Sequence, residues 1–310
     1  MKVSVLFPES RDVRQVIELA QLSEDAGLHG MFLGAAFGFD TMMALSAAGP
    51  HTSRILLGTA VVPTWPRHPL VAAQQAATAN SLCGGRFRLG MGPSHRPVMK
   101  MYGVDYDRPI RHVREYISIV KALLTDGKVD FEGELFRVKA FLDVEGGGHP
   151  PVLIAALHEQ LCRTAGALAD GVLPWLAPPS YVAEVVVPQV AKGAADAGRP
   201  APPVIAEMPV ILSTDVDEVR DIVRRELGMY LYMPFYTDVM ARAGIPDAEG
   251  AARSGWTDAM IDALVPWGDE QAVAKTVQSY LDAGADEVVL SPFGRDNATM
   301  ARLLGDVARG

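Results

Sequence analysis

Cysteine is nearly absent from this chain. The 310 residues hold 2, Cys83 and Cys162. Each lies in an apolar stretch and neither has a CxxC spacing, which excludes a disulfide framework and a thiolate metal site. Both read as small core residues of a cytoplasmic protein. Basic charge is also scarce: 28 Lys and Arg stand against 37 Asp and Glu, a net charge of −9. A nucleic-acid-binding surface needs an excess of Lys and Arg to displace phosphate counterions, so no nucleic-acid partner is expected. A small anionic ligand is still permitted, because backbone N–H groups hold a phosphate unaided. No apolar run approaches the roughly 20 residues of a membrane span. The opening MKVSVLFPES lacks the apolar core of a signal peptide. There is no GxGxxG after the first strand, no GxSxG elbow and no Walker loop. His158-Glu159-Gln160-Leu161-Cys162 imitates HExxH but ends on Cys, so no metal is expected.

What is present is a ladder. The chain is 49% hydrophobic and 21% charged, as in an ordinary globular protein. Short apolar runs alternate with longer amphipathic ones. Strands are predicted over Val3–Phe7, Gly30–Gly34, Ile55–Val62, Arg86–Gly92, Val152–Leu157, Gly171–Leu176, Val204–Leu212 and Glu287–Ser291. Several are apolar at nearly every position, as LLGTAVV is, which suits strands covered on both faces in a parallel sheet. The spacing predicts helices over Asp12–Ala26, Asp40–Ala48, Leu70–Leu82, Glu159–Ala169, Tyr181–Ala197, Asp215–Leu227 and Gln271–Ala283, several with Gly just past the end. About eight β-then-α units make a closed (β/α)8 TIM barrel the economical α/β fold, with an open doubly wound sheet as the alternative. One domain spans 1–310, with lid insertions at about 97–151 and 228–267 expected over the C-terminal mouth. The first insertion holds a helix (Ile110–Leu124) and a hairpin around Glu132-Gly133-Glu134.

The informative stretch is RILLGTAVVPTWPRHPLVAAQQAATANSLCGGRFRLGMGPSHR, residues 54–96. Its order is strand, Pro-bounded turn, Arg67-His68-Pro69, Ala/Gln-rich helix, Gly-Gly-Arg, strand, then Gly92-Pro93-Ser94-His95. With Asp107-Arg108-Pro109-Ile110-Arg111-His112, VLIAALHEQLCRTAGALADGVLPWLA and DAGADEVVLSPF, it resembles the luciferase-like monooxygenase superfamily over nearly the whole chain. Within that superfamily it looks most like the actinobacterial branch that uses the deazaflavin coenzyme F420. Homodimers are usual in that family.

The resemblance implies a third-strand bulge with a non-prolyl cis peptide at Ala60-Val61, backing the tricyclic ring together with Val62. It places Gly92, Pro93 and Ser94 against the ring and His95 near the reactive carbon. There His95 reads either as a proton donor or as a loop histidine touching solvent or phosphate. Ala156-Leu157-His158 looks like the phosphate loop, a strand end feeding a helix N-terminus. Trp175 walls the same cavity or is plain packing. Candidate substrate-pocket residues are Phe37, Trp65, His68, Met233 and Phe293. His68 reads first as a helix-start contact, and the insertion residues Tyr230, Tyr232, Met233, Phe235, Tyr236, Trp256 and Trp267 read equally as lid packing.

One departure matters. Relatives that oxidise alcohols carry an acid–histidine pair where this chain has Ala35-Ala36, before Phe37. Without a base to remove a hydroxyl proton, the expectation is a reductase that passes hydride from reduced F420 to an electron-poor C=C or C=N of a small substrate. Two alternatives stand beside it: an FMN-dependent monooxygenase, and a deazaflavin-binding protein with little catalysis.

Overall fold

The structure, a computed structural model, describes residues 1–7, 12–34 and 37–309. Among these described residues eleven strands follow one another: β1 (Val3–Phe7), β2 (Gly30–Leu33), β3 (Leu56–Thr59), the two-residue β4 (Val62–Pro63), β5 (Phe87–Gly92), β6 (Lys128–Glu132), β7 (Arg137–Phe141), β8 (Val152–Ala155), β9 (Gly171–Leu173), β10 (Ile205–Val210) and β11 (Glu287–Pro292). Eight of them form a parallel ring in the order β10-β11-β1-β2-β3-β5-β8-β9. Bridges at Val172–Val204 and Trp175–Glu207 join β9 to β10. The result is a nearly closed parallel (β/α)8 barrel, with the strands near the predicted positions.

The intervening helices begin where the sequence offers caps. The Asp40 carboxylate accepts from the Met43 N–H at 3.0 Å ahead of α2 (Thr41–Ala48), which follows α1 (Gln15–Asp25). His68 Nδ1 accepts from Leu70 N–H at 3.2 Å at the start of α3 (Pro69–Leu82), so its helix-start reading is the one found. After the short α4 (Arg96–Met101), α5 (Pro109–Asp126) is the helix of the fourth β/α unit. The β6–β7 hairpin starts where α5 ends and runs back along the flank of α5, bringing Phe136 to His112 and His68. There the N–H groups of Glu134, Leu135 and Phe136 donate to the Glu115 carboxylate at 3.1, 2.9 and 3.1 Å.

Helix α6 (Glu159–Leu168) follows β8. The short α7 (Pro179–Tyr181) then passes through a π-turn into α8 (Val187–Asp196). Helix α9 (Val216–Glu226) precedes the second insertion: a 3-10 turn (Gly228–Tyr232), α10 (Pro234–Arg242), α11 (Ala251–Ser254) and α12 (Asp258–Leu264). Helix α10 reaches the C-terminal end of β8, where Arg242 pairs with Glu159 at 2.6 Å. Helices α13 (Glu270–Asp282) and α14 (Asn297–Arg309) complete the ring. Among the described residues no helix is long and apolar enough to cross a membrane.

Alternate residues on each strand face the barrel interior. At the N-terminal end the inward residues are polar. Arg88 donates to both Glu287 carboxylate oxygens, at 2.7 and 3.0 Å, and Ser4 Oγ donates to Oε1 at 2.5 Å. The guanidinium also lies 4.5 Å from the centre of the Phe32 ring. Room for Arg88 comes from Gly30, where a Cβ would strike Nη2. Above this plug Leu6, Phe32, Leu153, Leu173, Ile205 and Val289 form an apolar layer.

Removing one member of this pair leaves a buried charge uncompensated. Arg88→Met is expected to cost about 3–5 kcal/mol in denaturant unfolding. The double variant Arg88→Met/Glu287→Met should regain most of that loss. A single variant as stable as the wild type would show that the plug carries no such charge.

Candidate active site

The inward positions next above the apolar layer line the C-terminal mouth. They are Gly34, Ala60, Gly92 and Ala155 on one side, and Trp175, Glu207 and Ser291 on the other, each two residues beyond an inward layer member or glycine. The short side is built by a break in pairing. Gly58 lies opposite Arg88 and Val62 opposite Met91, so one extra residue is fitted between β3 and β4 against β5. The Ala60–Val61 peptide within that bulge is cis, as expected. Thr59 Oγ1 holds the break together, donating to Gly90 O at 2.7 Å and accepting from Gly90 N–H at 3.0 Å. Ala60 and Val61 pack with Trp175 on the inner apolar layer. A Cβ at Gly92 would lie 3.0 Å from Ala155 Cβ and 3.1 Å from Val61 Cγ2. Val62 is buried beside them.

Two non-glycine residues at this rim hold left-handed backbone, Ser94 after β5 and Leu176 after β9, both with φ 57°. Such conformations are costly for L-residues and concentrate at functional sites. The Ser94 carbonyl accepts from Tyr106 Oη at 3.0 Å, which fixes the turn between Pro93 and His95.

Rings close the mouth. Trp175 meets Tyr230 at 5.9 Å between centroids, and Tyr230 meets Tyr236 edge-on at 4.9 Å. Phe235 lies 4.4 Å from Tyr236 and stacks on His95 at 5.2 Å. The second insertion thus brings Phe235 and Tyr236 onto His95. Met233, at the start of α10, is buried in the main core. His95 Nδ1 is buried without a hydrogen-bond partner, and burial lowers the imidazole pKa, so the ring is neutral at pH 7.

Other candidates fall into separate groups. Trp65 stacks on His112 at 3.6 Å and meets Tyr106 at 5.2 Å. Burial pushes His112 down to about 4 against the opposing effects of the Thr64 backbone and Glu115. His68 turns its ring edge to Phe136 at 6.4 Å. Phe37 is 60% exposed and stacks on Tyr102. Phe293 is half-buried against the main core. Ala35 and Ala36 lie outside the described residues.

At the Ala156–His158 loop, Tyr181 Oη donates to Leu157 O at 3.3 Å. His158 caps α6 through its backbone only, and its Nε2 lies 3.2 Å from Phe235 O, tying the loop to the lid. The first turn is shared with Glu159, whose carboxylate accepts from its own backbone N–H and pairs with Arg242.

Sequence reasoning missed Glu207. It is the third residue of β10, 4% exposed, with Oε1 lacking any hydrogen-bond partner. The available signal was one acid inside the otherwise apolar run VIAEMPV. Among the described residues no three His, Cys, Asp or Glu side chains are grouped to hold a metal.

A parallel barrel with a bulged third strand and an aromatic lid over its C-terminal mouth defines a class. Residues 1–287 match the Luciferase-like monooxygenase family, and the chain belongs to it. The 5,10-methylenetetrahydromethanopterin reductase of Methanolobus tindarius is 26% identical over 98% of this chain and 98% of that protein. The structure of the coenzyme F420 dependent tetrahydromethanopterin reductase from Methanopyrus kandleri shares the fold, with a TM-score of 0.82 at 22% identity, over 98% of this chain and 97% of that one. An F420-dependent secondary alcohol dehydrogenase in complex with an F420-acetone adduct has a TM-score of 0.83 at 18% identity, over 99% and 97% of the two chains.

NMR titration of the imidazoles checks the electrostatics of this site. His95 should titrate below the ordinary histidine range and His112 near about 4. A His95 midpoint at or above the ordinary value would contradict its burial beneath Phe235.

Proposed function

We propose that this protein is an F420-dependent reductase acting on an electron-poor C=N or C=C bond of a small, largely neutral substrate. The observation that carries the reading is the asymmetry of the barrel mouth. Short residues around the bulge (Gly34, Ala60, Val61, Gly92, Ala155) face a polar and aromatic side made by Trp175, Glu207 and the lid. A flat tricyclic ring fits such a wall because it must approach backbone closely; the unpartnered His95 Nδ1 fits its polar edge, and the unpartnered Glu207 Oε1 lies on the substrate side. When bound, reduced F420 supplies a hydride, and a deazaflavin is suited to two-electron transfer because carbon replaces the flavin N5.

The chain's own residues bind, orient and exclude water. The N–H groups of Ala156–His158 and the α6 N-terminus take the cofactor phosphate, beside Arg242, which pairs with Glu159 and Asp238. Ala60, Val61 and Gly92 back the ring. His95, held neutral, offers a hydrogen bond at its edge. Trp175, Tyr230 and Tyr236 enclose the substrate side, and Met233 belongs to the main core they join. Relatives described as F420-dependent support the cofactor assignment. The family's description as luciferase-like monooxygenases supports the second reading, FMN with oxygen.

Titration with F420 and FMN in parallel separates the two. The wild type should bind F420 at least tenfold more tightly than FMN, about 1.4 kcal/mol. Gly92→Ala, which adds a methyl group against Ala155 and Val61, should weaken F420 binding by a similar factor while leaving the fold intact. Stoichiometric FMN capture with oxygen-dependent turnover would overturn this reading in favour of the monooxygenase.

A further inference from the structure

Among the described residues two carboxylates point into this barrel, and one of the two has partners. Glu287, at the N-terminal end, is neutralised by Arg88 and Ser4, with His29 Nε2 at 3.8 Å. Glu207 sits one inward step beyond Ile205, at the mouth. Its main chain is held to the segment after β9, with its N–H donating to Pro174 O at 2.9 Å and its carbonyl accepting from Leu176 N–H at 3.1 Å. Its Oε1 is buried and has no hydrogen-bond partner. Among the described residues Glu287 from β11 acts on it, and Glu207 in turn raises the phenols Tyr230 and Tyr236 of the lid. None of these is a cation. Folding gains nothing from an acid here, since a leucine would continue the apolar layer without an unsatisfied oxygen.

We propose that Glu207 is the catalytic proton donor of this site, delivering from its carboxyl group the proton that accompanies hydride addition to a neutral C=N or C=C acceptor held beneath Tyr230 and Tyr236. The assignment rests on the reductase reading above. In the C=N case, the acceptor carbon receives a hydride from reduced F420 and the π electrons move to nitrogen. That nitrogen takes the Glu207 proton. The cofactor is oxidised, the acceptor is reduced, and Glu207 is left as a carboxylate that solvent reprotonates after product release. His95, the other candidate, is less suited, because its burial removes the charged form that gives up a proton readily.

Burial first, and Glu287 second, push the Glu207 carboxyl from 4.5 up to about 8. Between those values the group is protonated when folded and ionised when unfolded. Its contribution therefore makes stability fall as pH rises across that window. Glu207→Gln stays neutral and should remove this decline in denaturant unfolding measured from pH 4.5 to 8. That readout needs no cofactor.

The second readout uses F420 with pyrroline and cyclohexenone as acceptor probes. Glu207→Gln should bind F420 as the wild type does and lose about 10²–10⁴-fold in turnover. The wild-type rate should fall above pH about 8, and the fall should persist in His95→Gln but be absent from Glu207→Gln. Normal F420 binding with turnover of Glu207→Gln within about threefold of wild type would overturn the proton-donor role alone. So would an unfolding difference between the two proteins that does not vary with pH. No F420 binding by the wild type, or no reduction of either probe, would instead overturn the reductase reading and this role with it.

Discussion

The two-residue period of a pleated strand governs everything inside this barrel. It sends Ser4, Leu6, Arg88, Gly90, Gly92, Glu287 and Val289 inward in turn and so fixes what occupies each level of the interior. At the N-terminal level the Arg88–Glu287 pair fills the space, which requires glycine at position 30 because the guanidinium lies where a side chain would be. The next level is apolar. At the third level the same register places glycine and alanine on β2, β3, β5 and β8, and Trp175 and Glu207 on the strand ends opposite. The cavity wall is a consequence of register, and a slip of one residue on any strand would turn it outward.

That arrangement also separates the two buried carboxylates chemically. Burial raises both pKa values, but at Glu287 the Arg88 guanidinium and the Ser4 hydroxyl reverse the effect and hold it below the ordinary range. Glu207 lacks such partners and stays protonated at neutral pH. One interior therefore holds a structural acid whose charged form is favoured and an acid at the mouth whose neutral form is favoured. Two like groups driven apart by their surroundings commonly mark an acid available for chemistry.

Much of the fold was legible because continuous apolar runs of four to eight residues, each followed by an amphipathic segment, have few other packings. The β3 break was legible only through family resemblance. ILLGTAVV reads as one unbroken strand, and nothing in its composition shows that Gly58 and Val62 pair across an unequal number of residues. The course of the hairpin at 128–141 is not legible in sequence, because the Glu115 carboxylate that binds it to the α5 flank is one glutamate among many. The lid aromatics resolved into two sets. Tyr230, Phe235 and Tyr236 meet at the mouth, whereas Trp256 and Trp267 satisfy their indole N–H groups within the insertion, on Leu227 O and the Asp262 carboxylate, and Tyr232 is 73% exposed. Glu207 escaped notice because a single acid in a strand forms no motif. Its meaning depends on the layer beneath it and on the absence, among the described residues, of a cation beside it.

The placement of the cofactor is the centre of this description, and a crystal structure of the protein with F420 tests it most directly. The expected result is a tricyclic ring against Ala60, Val61 and Gly92, with Phe235 and Tyr236 displaced from His95 and the Glu207 carboxyl facing the open side of the ring. A deazaflavin bound away from the bulge, or a ring whose reactive carbon is screened from Glu207 by protein, would contradict it.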